Sequence, residues 1–260
     1  IKPYVLAYLL VLGVVVLVRA FGKLPQREVR HAGVLGFIGG FILFFEATRI
    51  TLREGIIGFP LGYFCVAFAH DGLYVVNYAM GDVADHWYFR ALAFGVIPFV
   101  LWEIVIIFWF LPKARAEFAP HISRTVYYGT YALYQALTIA LFLTLFTLID
   151  DPLDIISIIP AHLAAVVFMI PLIMRRQSTK GQSRLLAWNV FLISGTTTLL
   201  HPLALAPDVL TTPAYITVVV VAYLIGLVYV LMFEYYRRQE RLAPDAAPAT
   251  AVKDPVPAAG

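Results

Sequence analysis

Cysteine and charge are both scarce in this sequence. Its 260 residues include one cysteine, Cys65, which excludes an internal disulfide and any metal cluster built from cysteines. Charged residues make up only 13% of the chain and hydrophobic residues 61%, a balance far from that of soluble domains. The formal net charge of +3 points to no polyanionic partner, because almost every basic residue lies at the end of an apolar run. We therefore expect no nucleic-acid binding.

Apolar runs are what the sequence has in abundance. A bilayer core of about 30 Å needs about 20 apolar residues per helix. Backbone groups in lipid must be paired within the segment, which favours helices. The sequence thus predicts an all-α, multi-pass membrane helix bundle of seven core helices plus an extra N-terminal helix, with seven or eight spans. The candidate spans are 3–18, 32–48, 55–80, 87–111, 123–149, 155–174, 185–205 and 214–236.

Three regions follow from this pattern. Residues 1–31 are predicted to form an N-terminal helix and a basic loop, and residues 32–241 the membrane bundle. Residues 242–260 are rich in Pro and Ala and have no periodic apolar face, which is typical of a disordered tail.

The charges in the loops divide the ends of the predicted spans into a basic set and an acidic set. By the positive-inside rule, the basic set faces the cytoplasm and the C-terminus is cytoplasmic. The loop that follows the first run is basic although it would fall on the acidic side, so the first segment is expected to be tilted, interfacial or peripheral. The basic set is Arg49, Arg53, Lys113, Arg115, Arg124, Arg175, Arg176, Lys180, Arg184, Arg237, Arg238 and Arg241, and the acidic set is Asp82, Asp85, Asp150, Asp151, Asp154 and Asp208.

Ionisable residues inside apolar runs are the most informative candidates, because each is costly in lipid. Asp71 lies about sixteen residues into its run, where desolvation disfavours the charged form and leaves a carboxylic acid able to donate a proton. Tyr74 shares its helix face. His70 points about 100° away from Asp71, so we expect it to bind a different neighbour. A purely structural contact between Asp71 and another helix remains the alternative.

The other intramembrane candidates have weaker signals. Glu46 is three residues before Arg49, so a local ion pair competes with a role in a cavity. Glu103 has no basic neighbour on its own helix, and either lines a cavity or makes a structural contact. His162 is more typical of a core histidine than of a ligand. Near the run ends lie His121, His201 and Glu234, which we expect to meet water or headgroups.

Metal and cofactor signals are weak. No His-x-x-x-His or Glu-x-x-His pair occurs on any run, so a di-iron site lacks support, and a bis-histidine haem would need two of His70, His162 and His201 paired across helices. We therefore predict no cofactor and no metal.

Aromatic side chains are frequent within the runs. Phe68, Trp102 and Tyr134 are candidate walls of a cavity. Aromatic faces stabilise a cation without supplying a nucleophile that would quench it. Together with a buried acid, they favour carbocation chemistry.

Three motifs stand out between residues 31 and 241. A charged turn, TLREGIIGFP, leads into a helix with Asp71-Gly-Leu-Tyr74, a later loop reads RRQSTKGQSRLLAW, and the last run ends in FEYYRRQER. With these motifs the stretch resembles the integral-membrane terpene cyclases first known from fungal meroterpenoid and indole-diterpene pathways, which are small seven-helix enzymes. Where this chain has Asp71-Gly-Leu-Tyr74, the family typically has Trp-Glu and then Tyr. The later loop is similar to the family's Arg-Gly-x-Ser run before a Trp, and the last motif is similar to its Tyr/Arg/Glu-rich end.

The resemblance implies that the acid at position 71 protonates an epoxide or alkene of a polyprenyl substrate. Two departures matter: His70 stands where the family usually has Trp, and the family's second acid falls near Gly226. Glu103 and Glu46 are the candidates for the missing carboxylate. Sharing the fold without the reaction is the other interpretation.

Our leading prediction is a membrane enzyme that cyclises or isomerises a lipophilic isoprenoid after protonating it. Asp71, Glu103 and Tyr74 would be catalytic, and the substrate would meet His70, Glu46, Phe68, Trp102, Tyr134 and His162. Two alternatives stay open: a non-catalytic or redox subunit that binds haem, quinone or pigment among other membrane subunits, and a small-molecule or proton transporter. The predicted partners are the bilayer and a lipophilic small molecule.

Overall fold

A computed structural model describes residues 29–80, 87–149, 156–194 and 212–242. Residues 1–28 and the tail beyond Leu242 lie outside the described residues, so the predictions for the N-terminal segment and the tail are not tested. The described residues form seven helical segments and no strand. These are α1 (Val29–Glu54), α2 (Leu61–Met80), α3 (Trp87–Phe118), α4 (Arg124–Ile149), α5 (Ile158–Arg176), α6 (Arg184–Asn189) and α7 (Pro213–Leu242).

Two of the segments are irregular. In α5 the helix is interrupted at Phe168, between Ile158–Val167 and Met169–Arg176. Helix α6 begins after Ser183, whose hydroxyl accepts a hydrogen bond from the Leu186 amide, and it continues as a π-helical turn, Val190–Ser194. Because these segments are all helical, the predicted all-α class is confirmed for the described residues.

Membrane character is evident in four helices. Those long and apolar enough to cross a bilayer are Ala93–Phe118 within α3, and α4, α5 and α7. Helix α2 is not among them, because His70, Asp71 and Asn77 interrupt its apolar sequence. The count of seven or eight spans stays a prediction.

Many large apolar side chains are exposed on the bundle, while a few ionisable ones are buried within it. Glu46, His70 and Glu103 are buried, whereas large apolar side chains such as Leu133 on α4 are 74% exposed. Apolar exposure on this scale is stable only where the surrounding solvent is itself apolar. The outer surface of the bundle is thus suited to lipid.

A short turn brings α1 back into the bundle as α2. Gly55 adopts a positive φ of 73°, where glycine ends a helix at little cost. The Thr51 hydroxyl then accepts a hydrogen bond of 2.8 Å from the Gly58 amide. A Cβ at Gly58 would lie 2.6 Å from the Ala47 carbonyl oxygen, so the close approach requires glycine. The run predicted as 55–80 therefore contains a turn, and its helix begins only at Leu61.

The basic loops meet at one end of the bundle. The Glu54 carboxylate accepts a hydrogen bond from the Gly181 amide at 2.6 Å, and Thr179 donates its amide hydrogen to Glu240 at 2.7 Å. The Arg176 guanidinium donates to Glu117 at 2.7 Å. Segments that the charge pattern placed on one side thus share one end of the fold. Which side of the membrane that end faces stays a prediction.

Candidate functional site

Helix α2 is the central element of the site, and it packs against α3, α4 and α5. It runs antiparallel to α3. Near the start of α2, the Phe64 ring lies 5.7 Å from that of Phe110, near the end of α3. Further along, Tyr74 packs with Ala93 and Val96. This register places the middle of α2 opposite the middle of α3, and therefore Asp71 opposite Glu103.

The carboxyl groups of Asp71 and Glu103 contact one another. They interact both electrostatically and within hydrogen-bonding range. Glu103 is 0% exposed, and neither of its carboxyl oxygens receives an N–H or hydroxyl hydrogen bond from the described residues. Two carboxyl oxygens can form a hydrogen bond only when one group carries a proton. The pair is therefore built to hold a proton between helices, since two adjacent charges in an apolar interior are strongly disfavoured.

His70 extends this pair. Its Nδ1 lies 2.5 Å from Oδ1 of Asp71, and its ring meets Phe142 of α4 edge-on, with centroids 5.7 Å apart. The prediction that His70 and Asp71 serve different neighbours is wrong. A rotation of 100° separates the Cα–Cβ directions of adjacent residues. Suitable χ1 and χ2 rotamers nevertheless bring the ends of these two side chains into contact. The polar chain runs His70, Asp71, Glu103.

Asp71 is the accessible member of this chain. Its side chain is 19% exposed, whereas that of His70 is 7% exposed. At the next residue, Gly72, a Cβ would find no atom within 4 Å, so the surface of α2 is open at that position. A small molecule can therefore approach Asp71 more readily than Glu103.

Two tyrosines stand near the carboxyl pair. Tyr74, predicted to share a face with Asp71, is buried and packs against α3, as Asp71 does. Tyr63 was not predicted, yet it is buried and lies within electrostatic range of both Asp71 and Glu103. Its position eight residues before Asp71 is consistent with the same helix face. This spacing alone is too common among the tyrosines of the chain to single out Tyr63.

Glu46 does not join the carboxyl pair. Both of its carboxylate oxygens lie 2.6 Å from the Arg49 guanidinium. The local ion pair was one of the two interpretations of FILFFEATRI, and the structure shows it. Of the two acids considered as partners of Asp71, the structure brings Glu103 to it and leaves Glu46 in a separate contact.

The aromatic candidates are dispersed rather than gathered around Asp71. Phe68 is half-buried against the main core. Trp102 faces α1, where its Nε1–H donates to Thr48 at 3.1 Å. Tyr134 places its hydroxyl near Gly62, nine residues before Asp71, or about 13 Å along the helix. The prediction that Trp102 and Tyr134 share one cavity with Asp71 is not supported by these contacts.

The remaining candidates lie on other parts of the bundle. His162 is half-buried on α5, next to Ala161, which packs with Ala69 and Phe142. His201 lies outside the described residues. His121 is exposed in the turn between α3 and α4, as predicted for a residue near a run end. Within the part of the chain that the structure describes, no three His, Cys, Asp or Glu side chains are grouped as metal ligands.

Comparisons with known protein families, with curated proteins and with solved structures found no match to this chain. The resemblance to the integral-membrane terpene cyclases therefore rests on short sequence motifs alone. Function has to be argued from the chemistry of the His70, Asp71 and Glu103 chain.

Proposed function

We propose that this protein is an integral-membrane enzyme that cyclises or isomerises a lipophilic isoprenoid by protonating it. The observation that supports this most is the contact between the carboxyls of Asp71 and Glu103 in the interior of an apolar bundle. A carboxylic acid kept neutral by its surroundings still carries the proton that a general acid donates to a neutral substrate. An isoprenoid reaches such a site from the bilayer.

The reaction needs no net supply of protons or electrons. Asp71 gives its proton to an alkene or epoxide, whose bond breaks to leave a carbocation. The positive charge moves as a new carbon–carbon bond forms or as the double bond shifts. Loss of a proton from the final cation returns the carboxyl pair to its starting state. The pair holds one proton at the start, so its transfer leaves two carboxylates, and the positive charge of the nearby carbocation offsets their repulsion until the proton returns.

Aromatic rings of the packed core lie along the α2–α3 contact, with Phe99 one helical turn before Glu103, and they support this chemistry. Phe44, Phe64 and Phe99 pack edge-on or tilted, with Phe44 centred 5.5 Å from Phe64 and 5.2 Å from Phe99. Ring faces attract cations in a desolvated site by about 2 kcal/mol. The rings also exclude water, which would trap a carbocation as an alcohol.

The proposal is tested by incubating the purified protein in deuterated buffer with polyprenyl alcohols and terminal polyprenyl epoxides, and analysing the extracts by mass spectrometry. We expect an isomeric product from either substrate. The product of alkene protonation carries deuterium at the protonated carbon, whereas an epoxide is protonated on oxygen and gives a hydroxylated isomer. Asp71→Asn should lower its formation by about 10²-fold or more, the usual contribution of a general acid. Glu240→Gln, at the far end of α7, is the matched control and should leave it unchanged. Equal deuterium incorporation by the Asp71 variant and the wild type would contradict the assignment.

A second function is favoured by one feature of the same residues. A buried His–Asp–Glu chain is typical of proton relays in membrane transporters, and His70, Asp71 and Glu103 form such a chain. Reconstituted liposomes with an imposed pH gradient distinguish the two functions. The enzyme proposal predicts the leak rate of protein-free liposomes, and a faster leak that disappears in Glu103→Gln supports transport.

A further inference from the structure

An open apolar groove lies between α5 and α7, away from the carboxyl pair. It has a volume of about 450 Å³, and its wall consists almost wholly of carbon. Val167, Ile170 and Pro171 form the α5 side, next to the interruption at Phe168. Val221, Leu224 and Val228 line the α7 side. Because the wall offers no hydrogen-bonding group, only a hydrocarbon chain suits it.

The groove continues along α7 as an exposed stripe. Leu224, Val228, Leu231, Tyr235 and Arg238 follow one another at spacings of three or four residues, which places them along one side of the helix, and all five are exposed. The stripe changes from aliphatic to aromatic and then to cationic. This order matches the passage from a bilayer interior through its interface to the headgroups.

The length of the stripe fits a single leaflet. Arg238 lies ten residues beyond Val228, or about 15 Å at the helical rise of 1.5 Å per residue. Half of a 30 Å hydrocarbon core is also about 15 Å. A lipid whose chain ends in the groove would therefore place its headgroup near Arg238.

Charge at the end of the stripe favours an anionic headgroup. Neighbouring Arg237 and Arg184 both bind Glu234, at 3.5 and 2.7 Å. The structure shows no carboxylate beside Arg238 in the ranges that it describes. A guanidinium that is not engaged by a carboxylate matches a phosphate group with two parallel hydrogen bonds.

We propose that the groove between α5 and α7 binds an acyl chain of an anionic glycerophospholipid, and that Arg238 binds its phosphate. This site is separate from Asp71 and Glu103, so it does not depend on the function proposed for them.

The experiment is native mass spectrometry of the full chain in mild detergent, supplemented with equal amounts of phosphatidylglycerol and phosphatidylcholine. We expect one phosphatidylglycerol to stay bound at activation energies that remove phosphatidylcholine. Val228→Trp, which fills the groove, and Arg238→Gln, which removes the charge, should each weaken its retention about tenfold. Leu133→Trp on the exposed face of α4 and Arg124→Gln, an exposed basic residue at the start of α4, are the matched controls and should retain the lipid.

A second measurement needs no variant. A phosphatidylglycerol with a photoactivatable group at the end of its acyl chain should label peptides from α5 and α7 in the wild-type protein. Labelling mainly on α4, equal retention of both lipids, or retention unchanged by both Val228→Trp and Arg238→Gln would overturn the proposal. So would a tightly held polyprenyl compound or a protein partner that phosphatidylglycerol fails to displace from the groove.

Discussion

Glu103 is a fully buried acid, and apart from the proton shared with Asp71 no donor of the described residues meets its carboxyl oxygens. A buried polar group whose hydrogen bonds are incomplete costs about 1–3 kcal/mol. We therefore expect Glu103→Leu to raise the free energy of unfolding by roughly that amount while it lowers isoprenoid turnover. The measurement is thermal unfolding in detergent beside the deuterium assay. Glu117→Leu, which removes the partner of Arg176, is the control and should lower stability. A Glu103→Leu protein that is less stable than the wild type would show that the acid serves the fold.

Gly181 is a residue whose replacement should be costly. Its φ is 73°, and a Cβ there would lie 2.5 Å from Nη1 of Arg176 and 2.8 Å from Cδ1 of Ile56. Gly181→Ala should therefore destabilise the protein by about 1–3 kcal/mol, measured by thermal unfolding. Gly129→Ala in α4, where a Cβ meets no atom within 4 Å, is the control and should be neutral or stabilising by up to about 1 kcal/mol. Similar effects of the two substitutions would contradict this reasoning.

The sequence was sufficient to identify the candidate acids but not the contacts between them. Asp71 and Glu103 are conspicuous because a carboxyl in an apolar run needs an explanation. Their contact could not be predicted, because it depends on the antiparallel register of α2 and α3, which single-residue patterns do not encode. The contact of His70 with Asp71 was missed because helical angles describe backbone directions and not side-chain rotamers.

At the scale of elements, ion pairs between helix ends hold the polar end of the bundle together. The Arg176 side chain is 6% exposed and that of its partner Glu117 is 19% exposed. Arg176 also donates to the Ile57 carbonyl at 2.9 Å, which ties α5 to the turn before α2. Arg184 and Glu234, at 46% and 33%, form a comparable pair that is accessible to solvent.

These two pairs should differ sharply in strength. Glu117→Gln leaves a buried guanidinium without its charge partner and should cost about 3 kcal/mol. Glu234→Gln should cost less than about 1 kcal/mol, because solvent screens the exposed pair. Two double-mutant cycles compare the coupling energies directly by thermal unfolding. One combines Glu117→Gln with Arg176→Gln, and the other combines Glu234→Gln with Arg184→Gln. Equal coupling would show that burial does not control the strength of these pairs.

Helix existence was easier to predict than helix ends. Four of the predicted runs correspond to α3, α4, α5 and α7, the described helices that are long and apolar enough to cross a membrane. The end of α3 was predicted at Leu111, but the helix continues to Phe118 through Pro112, since polar residues end an apolar run without ending a helix. Conversely, the apolar residues of the turn between α1 and α2 resembled part of a span.

At the scale of the whole molecule, the contacts between the basic loops predict that these loops face the same side of the membrane. Arg175 of α5 donates to the Phe118 carbonyl at 3.0 Å, so the turn after α3 and the loop after α5 lie together. Ser123→Cys and Ser178→Cys should react with an impermeant maleimide from the same side of the membrane. Thr212→Cys, before the opposite end of α7, should react only from the other side, and buried Cys65 should not react. We expect the first side to be cytoplasmic, by the positive-inside rule. Labelling of Ser123→Cys and Ser178→Cys from different sides would contradict the arrangement of the loops.

We expect Asp71 and Glu103 to hold a proton between them inside the bundle. Infrared spectroscopy of the reconstituted protein at neutral pH measures this directly through the C=O stretch of protonated carboxylic acids, without any knowledge of the substrate. The spectrum should contain such a band, shifted in deuterated water and altered or lost in both Asp71→Asn and Glu103→Gln, but unchanged in Glu240→Gln. A wild-type spectrum without the band, or one that neither substitution alters, would contradict the claim.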